Sequence, residues 1–247
     1  KEDKGIEKNV QVVIESAVQK ACIGLDNVDE KLLASEIKNA TYEGISEKDL
    51  AESMLMTART MVEKEPNYSY VTARLLLNNM ENEVSAFLGI KERKERSKMY
   101  VEALAKTVDK GIELDFLNEE LKSYDLVKLG EAILQERDFQ FTYLGLQTLY
   151  DRYFITCDEI RYELPQVFFM RVAMGLALDE ENKNERAIEF YKLLSSFDYM
   201  SSTPTLFNSG TKRPQLSSCY LTTVPDDLSG IYGAIRDNAL LSKWAGG

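Results

Sequence analysis

The sequence predicts an α/β chain: a mostly helical N-terminal part leading into the first strand–helix unit of an α/β barrel or doubly wound sheet. Three observations predict it. Apolar residues recur with helical period over most of the first 200 residues or so. The character of the chain changes abruptly at Thr203, after which three of the five prolines fall within 22 residues (Pro204, Pro214 and Pro225). Within that stretch Gln215–Val224 (QLSSCYLTTV) has the β-branched and aromatic content of a strand, and Ser229–Lys243 follows it with a helical pattern.

The elements follow in order. Val10, Val13, Ile14, Ala17, Val18 and Ala21 fall on one stripe of an amphipathic helix ending near Cys22. Asp29 reads as the N-cap of a second helix over Leu32–Ala40, and Gly44 breaks it. Ser46, with Asp49 three residues on, fits an acidic capping box ahead of Leu50–Val62. Pro66 separates that helix from Tyr70–Leu88. The run Lys91–Lys98 (KERKERSK) alternates charge too evenly for a basic patch and reads as a solvated face or linker.

Between Tyr124 and Leu178 the period is mostly helical, with aromatics at Phe139, Phe141, Tyr143, Tyr150, Tyr153 and Phe154 that read as core. Ile160–Leu164 is a short extended piece before Pro165, Gln166–Leu178 a buried helix rich in Phe and Met, and Glu185–Phe197 a further amphipathic helix. From Thr203 to Leu228 loops and strands are expected.

Composition bounds the function. With 247 residues, 44% hydrophobic and 29% charged, the chain can bury one large core or two smaller ones. No apolar run approaches the roughly 18 residues of a membrane span, and no basic start leads into an apolar signal region, so a cytoplasmic address is expected. A net charge of −11 argues against broad binding to a nucleic-acid backbone, so any phosphate must be held by a few local groups. Histidine is absent, which removes Ser/His/Asp triads, Cys/His dyads and His-based metal sites. Cys22, Cys157 and Cys219 lie too far apart for a CxxC or zinc pattern. Chemistry must rest on Cys, carboxylates, Ser/Thr, Lys/Arg or backbone groups.

The richest segment is Thr203–Gly247. Thr203, Thr205, Ser217 and Ser218 offer hydroxyls, Asn208 an amide, and Gly210 and the closing Gly246–Gly247 close backbone approach, while the helix near Ser229 has an anion-attracting N-terminus. Such a set suits a phosphorylated ligand, and also suits ordinary turns. Cys219 in mid-strand reads, from its type alone, as a small buried hydrophobe.

TPTLFNSGTKRPQLSSCYL (Thr203–Leu221) and VPDDLSGIYGAIRDNALLSKWAGG (Val224–Gly247) resemble the opening of the catalytic barrel in class I ribonucleotide reductase large subunits. Lys8–Leu88, most clearly EKEPNYSYVTARLLL (Glu63–Leu77), resembles the ATP-cone, the regulatory module that opens these subunits. Asp125–Met200 resembles the helical domain preceding the barrel. The resemblance implies an ATP-cone-like domain over residues 1–89, a helical domain over 90–200 and the start of the barrel over 201–247.

It further implies reduction of ribonucleoside diphosphates to 2′-deoxy forms by thiyl-radical chemistry. Cys219 matches one member of the family's redox cysteine pair. Ser218, Thr203 and Thr205, with the backbone of Ala245, Gly246 and Gly247, match positions around the substrate's ribose and diphosphate. Asp227, or Asp226 if the register slips by one, and Lys243 match residues at the deoxynucleotide specificity site; turn and cap roles are the other reading of the two acids. Ser46 and Glu47 stand at the position of the activity effector, where the family has threonine. The basic, glycine-containing stretch that opens the cone is not evident before Ile6.

Implied cofactors are ATP or dATP and deoxynucleoside triphosphates as effectors, Mg2+ with the nucleotides, and a radical cofactor in a separate small subunit. Implied partners are a second large subunit, that small subunit, and thioredoxin or glutaredoxin as reductant, with no nucleic acid or membrane. The radical-bearing cysteine, its flanking Asn and Glu and the partner of Cys219 are expected beyond Gly247, so this segment alone is expected to be inactive. The competing reading is a non-catalytic nucleotide-sensing module that retains the cone and a barrel remnant.

Overall fold

The structure, a computed structural model, describes residues 3–91, 95–243 and 246, and only the backbone of residues 3–9. The described residues are mostly helical and divide into two compact units, Lys1–Glu83 with Glu136–Arg152, and Val84–Gln135 with Tyr153–Gly247. No helix among the described residues is long and apolar enough to cross a membrane.

The first unit contains α1 (Asp3–Cys22), α2 (Glu30–Asn39), α3 (Glu47–Thr60), most of α4 (Tyr68–Leu88) and α7 (Tyr143–Arg152). Its core is the set of apolar stripes legible in the sequence: Ile14 and Val18 from α1, Leu33 and Ile37 from α2, Met54 and Ala58 from α3, Val71 and Leu75 from α4. Both expected N-caps form. Asp29 accepts a hydrogen bond from Leu32 N at 2.9 Å, and Ser46 accepts from Asp49 N at 3.1 Å, each satisfying an amide with no partner inside its helix. Arg74 closes the other end of α1, its Nη1 donating to the carbonyls of Ala21 (3.0 Å) and Ile23 (2.6 Å).

The second unit is built on α8 (Pro165–Leu176). All ten residues from Pro165 to Met174 are buried, the mark of a helix enclosed on every side. It packs against α9 (Lys183–Ser195) and α5 (Arg96–Glu113), and α6 (Leu126–Glu131) packs on both of those. The extended piece before Pro165 is half of a small hairpin, β1 (Thr156–Cys157) paired antiparallel with β2 (Ile160–Arg161). Its two turn residues, Asp158 and Glu159, have φ of 47° and 67°, the twist that lets such tight hairpins close.

Several expectations need correction. Met99–Gly111 carried no element in the reading above, yet it lies in α5, with Met99, Tyr100, Ala103, Leu104, Thr107, Val108 and Gly111 buried on one stripe. The aromatics expected as core divide: Phe141 and Phe154 are buried, whereas Phe139 is exposed and lies under the Arg74 guanidinium, 5.1 Å from its ring centre. Thr203–Asn208 forms a short helix, α10, where only loops and strands were expected, because Pro204 can start a helix without losing an internal hydrogen bond. The strand expected over Gln215–Val224 is not formed. That segment is irregular and largely exposed, because a strand exists only when a neighbour takes up its backbone groups, and among the described residues none lies beside it. The helix after it is present as α11 (Leu228–Lys243). Part of the Lys91–Lys98 run, residues 92–94, lies outside the described residues.

Candidate functional site

The turn at Ser209 and Gly210 is seated on α8 by a buried ion pair. Arg171 donates through Nε to Glu163 Oε1 at 2.5 Å and through Nη2 to Glu163 Oε2 at 3.1 Å, and both side chains are fully buried. Its third arm, Nη1, donates to the carbonyl of Ser209 at 2.7 Å. Ser209 Oγ in turn donates to the carbonyl of Val172 at 2.7 Å, and Glu163 Oε2 also accepts from Ile155 N at 2.9 Å. A charged pair in such a place holds only because every atom facing inward has a partner.

Beside this pair the turn presses backbone against backbone. A Cβ on Gly175 of α8 would collide with the nitrogen of Gly210 and with Ser209, and Gly210 has a φ of 76°, a conformation open to glycine. On the turn's far side Gly210 O accepts from Asn118 N at 3.1 Å, and Lys212 N donates to Phe116 O at 2.9 Å. The Asp115 carboxylate, hydrogen-bonded to Lys212, raises that ammonium's pKa.

From this anchored turn the candidate residues extend. Thr203 opens α10, its Oγ1 lying 3.3 Å from Tyr153 Oη, while the Tyr153 ring stacks on Phe207 at 4.6 Å. Thr205 donates to the carbonyl of Leu216 at 3.1 Å and lies 3.2 Å from Ser202 Oγ. Asn208 Nδ2 donates to the carbonyl of Gln215 at 2.8 Å. Ser218 and Cys219 follow at an exposed turn, with Ser218 Oγ 3.6 Å from Cys219 Sγ. Cys219 is therefore not the buried hydrophobe its type suggested: with no sheet to cover it, the thiol faces solvent. Gly246 packs behind this turn, where an added Cβ would lie 2.8 Å from the Tyr220 ring. The structure thus gathers Thr205, Ser218, Cys219 and Gly246 around one short stretch, with Thr203 at its edge; Ala245 and Gly247 lie outside the described residues.

Asp227 and Lys243 are not brought together. Asp227 caps α11, its Oδ1 accepting from Gly230 N at 2.9 Å, and Lys243 ends the same helix. At 1.5 Å per residue the two ends of this helix are separated by about 22 Å. Asp226 has no such capping bond among the described residues. In the first unit, Ser46 and Glu47 are exposed at the start of α3. They do not line a groove of about 730 Å³ that lies between α1 and α2 and is edged by Gln11, Glu15, Lys31 and Lys38.

Among the three cysteines the environments differ sharply. Burial pushes the Cys22 thiol up to about 11, with the nearby Glu30 carboxylate adding to the shift, whereas Cys219 is open to reagents. Two residues that sequence reasoning missed organise the site. Arg171 was visible as the one charge in an apolar helix, PQVFFMRVAMGL, a position that demands a buried counter-ion. Gln215 gave no signal, since an amide beside a proline resembles any loop residue.

Residues 139–214 match the family of the ribonucleotide reductase all-alpha domain. The chain is 48% identical over 221 residues to the ribonucleoside-diphosphate reductase subunit alpha of Chlamydia pneumoniae, covering 89% of this chain and 21% of that protein. It is 38% identical over 236 residues to the subunit alpha of Helicobacter pylori, covering 95% of this chain and 29% of the relative. With the ribonucleoside-diphosphate reductase large subunit of Danio rerio it shares 35% identity over 250 residues, covering 100% of this chain and 31% of the relative. The chain therefore spans between about a fifth and a third of the length of these relatives. The resemblance carried by Thr203–Gly247 extends over nearly the whole chain.

Proposed function

We propose that this chain, which corresponds to the N-terminal portion of ribonucleotide reductase large subunits, opens an enzyme that reduces ribonucleoside diphosphates to 2′-deoxyribonucleoside diphosphates for DNA precursor synthesis. The observation that carries the reading is Cys219, a solvent-open thiol beside Ser218, on a segment seated on the family's helical domain. In this reading a thiyl radical on a cysteine of the remaining subunit removes the 3′ hydrogen. The 2′ hydroxyl leaves as water, two thiols, Cys219 and a partner cysteine, supply two electrons and two protons as they close to a disulfide, and the first cysteine returns the hydrogen to C3′, regenerating its thiyl radical. Thioredoxin or glutaredoxin then reduces that disulfide. Ser218, Thr203 and Thr205, with the backbone of Gly246 and Gly247, hold ribose and diphosphate, using hydroxyls and N–H groups in place of a basic surface. Thr205 reaches the substrate only by exchanging its bond to Leu216 O.

Residues 1–89 serve as the regulatory cone for ATP or dATP, with Ser46 and Glu47 at its effector position. Residues 90–200 form the helical domain, and 201–247 begin the barrel. Leu228, Ile231, Tyr232 and Ile235 leave an exposed apolar stripe on α11, which supports pairing with a second large subunit. The separation of Asp227 from Lys243 fits a deoxynucleotide site shared across that pair, one residue from each copy. Mg2+ accompanies the nucleotide phosphates. The radical cofactor lies in the small subunit, and the setting is cytoplasmic.

The test uses the full-length subunit with its small subunit and a dithiol. Wild type forms deoxynucleotide over many turnovers, and Cys219→Ser stops this; repeated turnover by Cys219→Ser overturns the assignment.

A further inference from the structure

The structure assigns to Gln215 the task of holding the Cys219 thiol in place for the redox step, an inference that rests on the function proposed above. Its carboxamide nitrogen has two hydrogens and uses both. One goes to the carbonyl of Ser217 at 2.7 Å, the other to the hydroxyl of Tyr220. One side-chain group therefore ties the residue before Ser218 to the residue after Cys219, and the two reactive positions sit at the bend between the ties. The amide cannot be turned round, because its oxygen would then face the Ser217 carbonyl, acceptor against acceptor.

Nothing else in the local backbone does this work. Among the described residues no N–H from Leu216 to Val224 bonds to another backbone carbonyl. The base of the hook is itself fixed: Gln215 O accepts from Asn208, Leu216 O accepts from Thr205, and Gln215 N donates to Arg213 O at 2.8 Å. Gly246 closes it from behind, since a Cβ there would lie 3.1 Å from Gln215 Nε2 and 2.8 Å from the Tyr220 ring. Position therefore passes from the Arg171-anchored turn through α10 and Gln215 to Cys219.

Gln215 is a positioning residue, so its loss alters the rate of the thiol step more than substrate affinity. The experiment measures ribonucleoside-diphosphate reduction by the full-length subunit with its radical-generating partner and dithiothreitol. Gln215→Met keeps the length and removes both donors, and is expected to lower kcat by about tenfold or more, the scale on which small displacements of a reacting group act, with KM within about twofold. Tyr220→Phe removes one tie and lowers kcat less. The double variant is expected to be no slower than Gln215→Met alone, because both changes cut the same connection. A kcat for Gln215→Met within about twofold of wild type, or two fully independent effects, overturns the inference. If Gln215→Met does not fold, as read by its circular dichroism melt, Tyr220→Phe decides, and an unchanged kcat overturns it. A wild-type enzyme that forms no deoxynucleotide, or a Cys219→Ser variant that turns over, removes the functional reading and this inference together. An active wild type, a dead Cys219→Ser and an unaffected Gln215→Met remove the inference alone.

Discussion

Replacing Arg171 by Met tests the structural centre of the second unit. Methionine keeps most of the aliphatic stem and deletes the guanidinium. The deletion strands Glu163, which is fully buried and among the described residues keeps the Ile155 N donor, and leaves the buried carbonyl of Ser209 without its 2.7 Å partner. Breaking a buried pair by removing one member costs about 3–5 kcal/mol, and an orphaned carbonyl about 1–3 kcal/mol of its own. These overlap, so the expected loss lies near 4 kcal/mol, a large share of a typical domain's stability of roughly 5–15 kcal/mol. Urea unfolding followed by far-UV circular dichroism reads it as a lower midpoint at constant slope. The companion variant Arg171→Met with Glu163→Gln removes the stranded charge and keeps an acceptor for Ile155 N, so it is expected to recover about 2 kcal/mol of the loss. A single variant within about 1 kcal/mol of wild type, or a double variant no better than the single, would show that the pair does not anchor this region.

The cysteines give a second prediction. At pH 8 iodoacetamide is expected to modify Cys219 well before Cys22, read by peptide mass spectrometry; equal rates would refute the contrast in environment. The sign of the linked pH effect follows. An exposed Cys thiol ionises near 9.0, whereas folded Cys22 keeps its proton to about 11, so the unfolded chain loses a proton first and stability falls as pH rises through that window. Third, Asp227→Ala is expected to cost about 1 kcal/mol and fray the start of α11 in amide exchange, whereas Asp226→Ala leaves that end unchanged. The reverse order would place the cap one residue earlier.

What was legible in the sequence was whatever depends on neighbours close along the chain. The stripes of α1 to α4 follow from 3.6-residue periodicity, and the caps at Asp29 and Ser46 from a side chain three residues before an orphaned amide. The pattern of α5 is equally periodic, although its first turn falls in the Lys91–Lys98 charge run that reads as a solvated face or linker. Gln215–Val224 failed for a different reason. Its β-branched content measures fitness for a sheet, and a sheet needs partners that composition cannot supply. Of the site, Cys219, Ser218 and the threonines were visible through resemblance. The hook made by Gln215 and the seat made by Arg171 were not, because both arise from groups brought together by folding, 38 residues separating Arg171 from Ser209.

The meeting of Gly175 with Gly210 has a consequence for how this region responds to its surroundings. Backbone pressed on backbone carries no net charge and no titrating proton, and the ion pair beside it is shielded from solvent. Added salt screens exposed charges within about 10 Å or less and leaves buried ones nearly untouched. The rim of the turn, where Lys212 meets Asp115 in water, loosens as ionic strength rises, while its seat on α8 does not. The thiol-bearing segment thus hangs from a mount that added salt scarcely reaches, and only its outer edge registers the ionic strength of the medium.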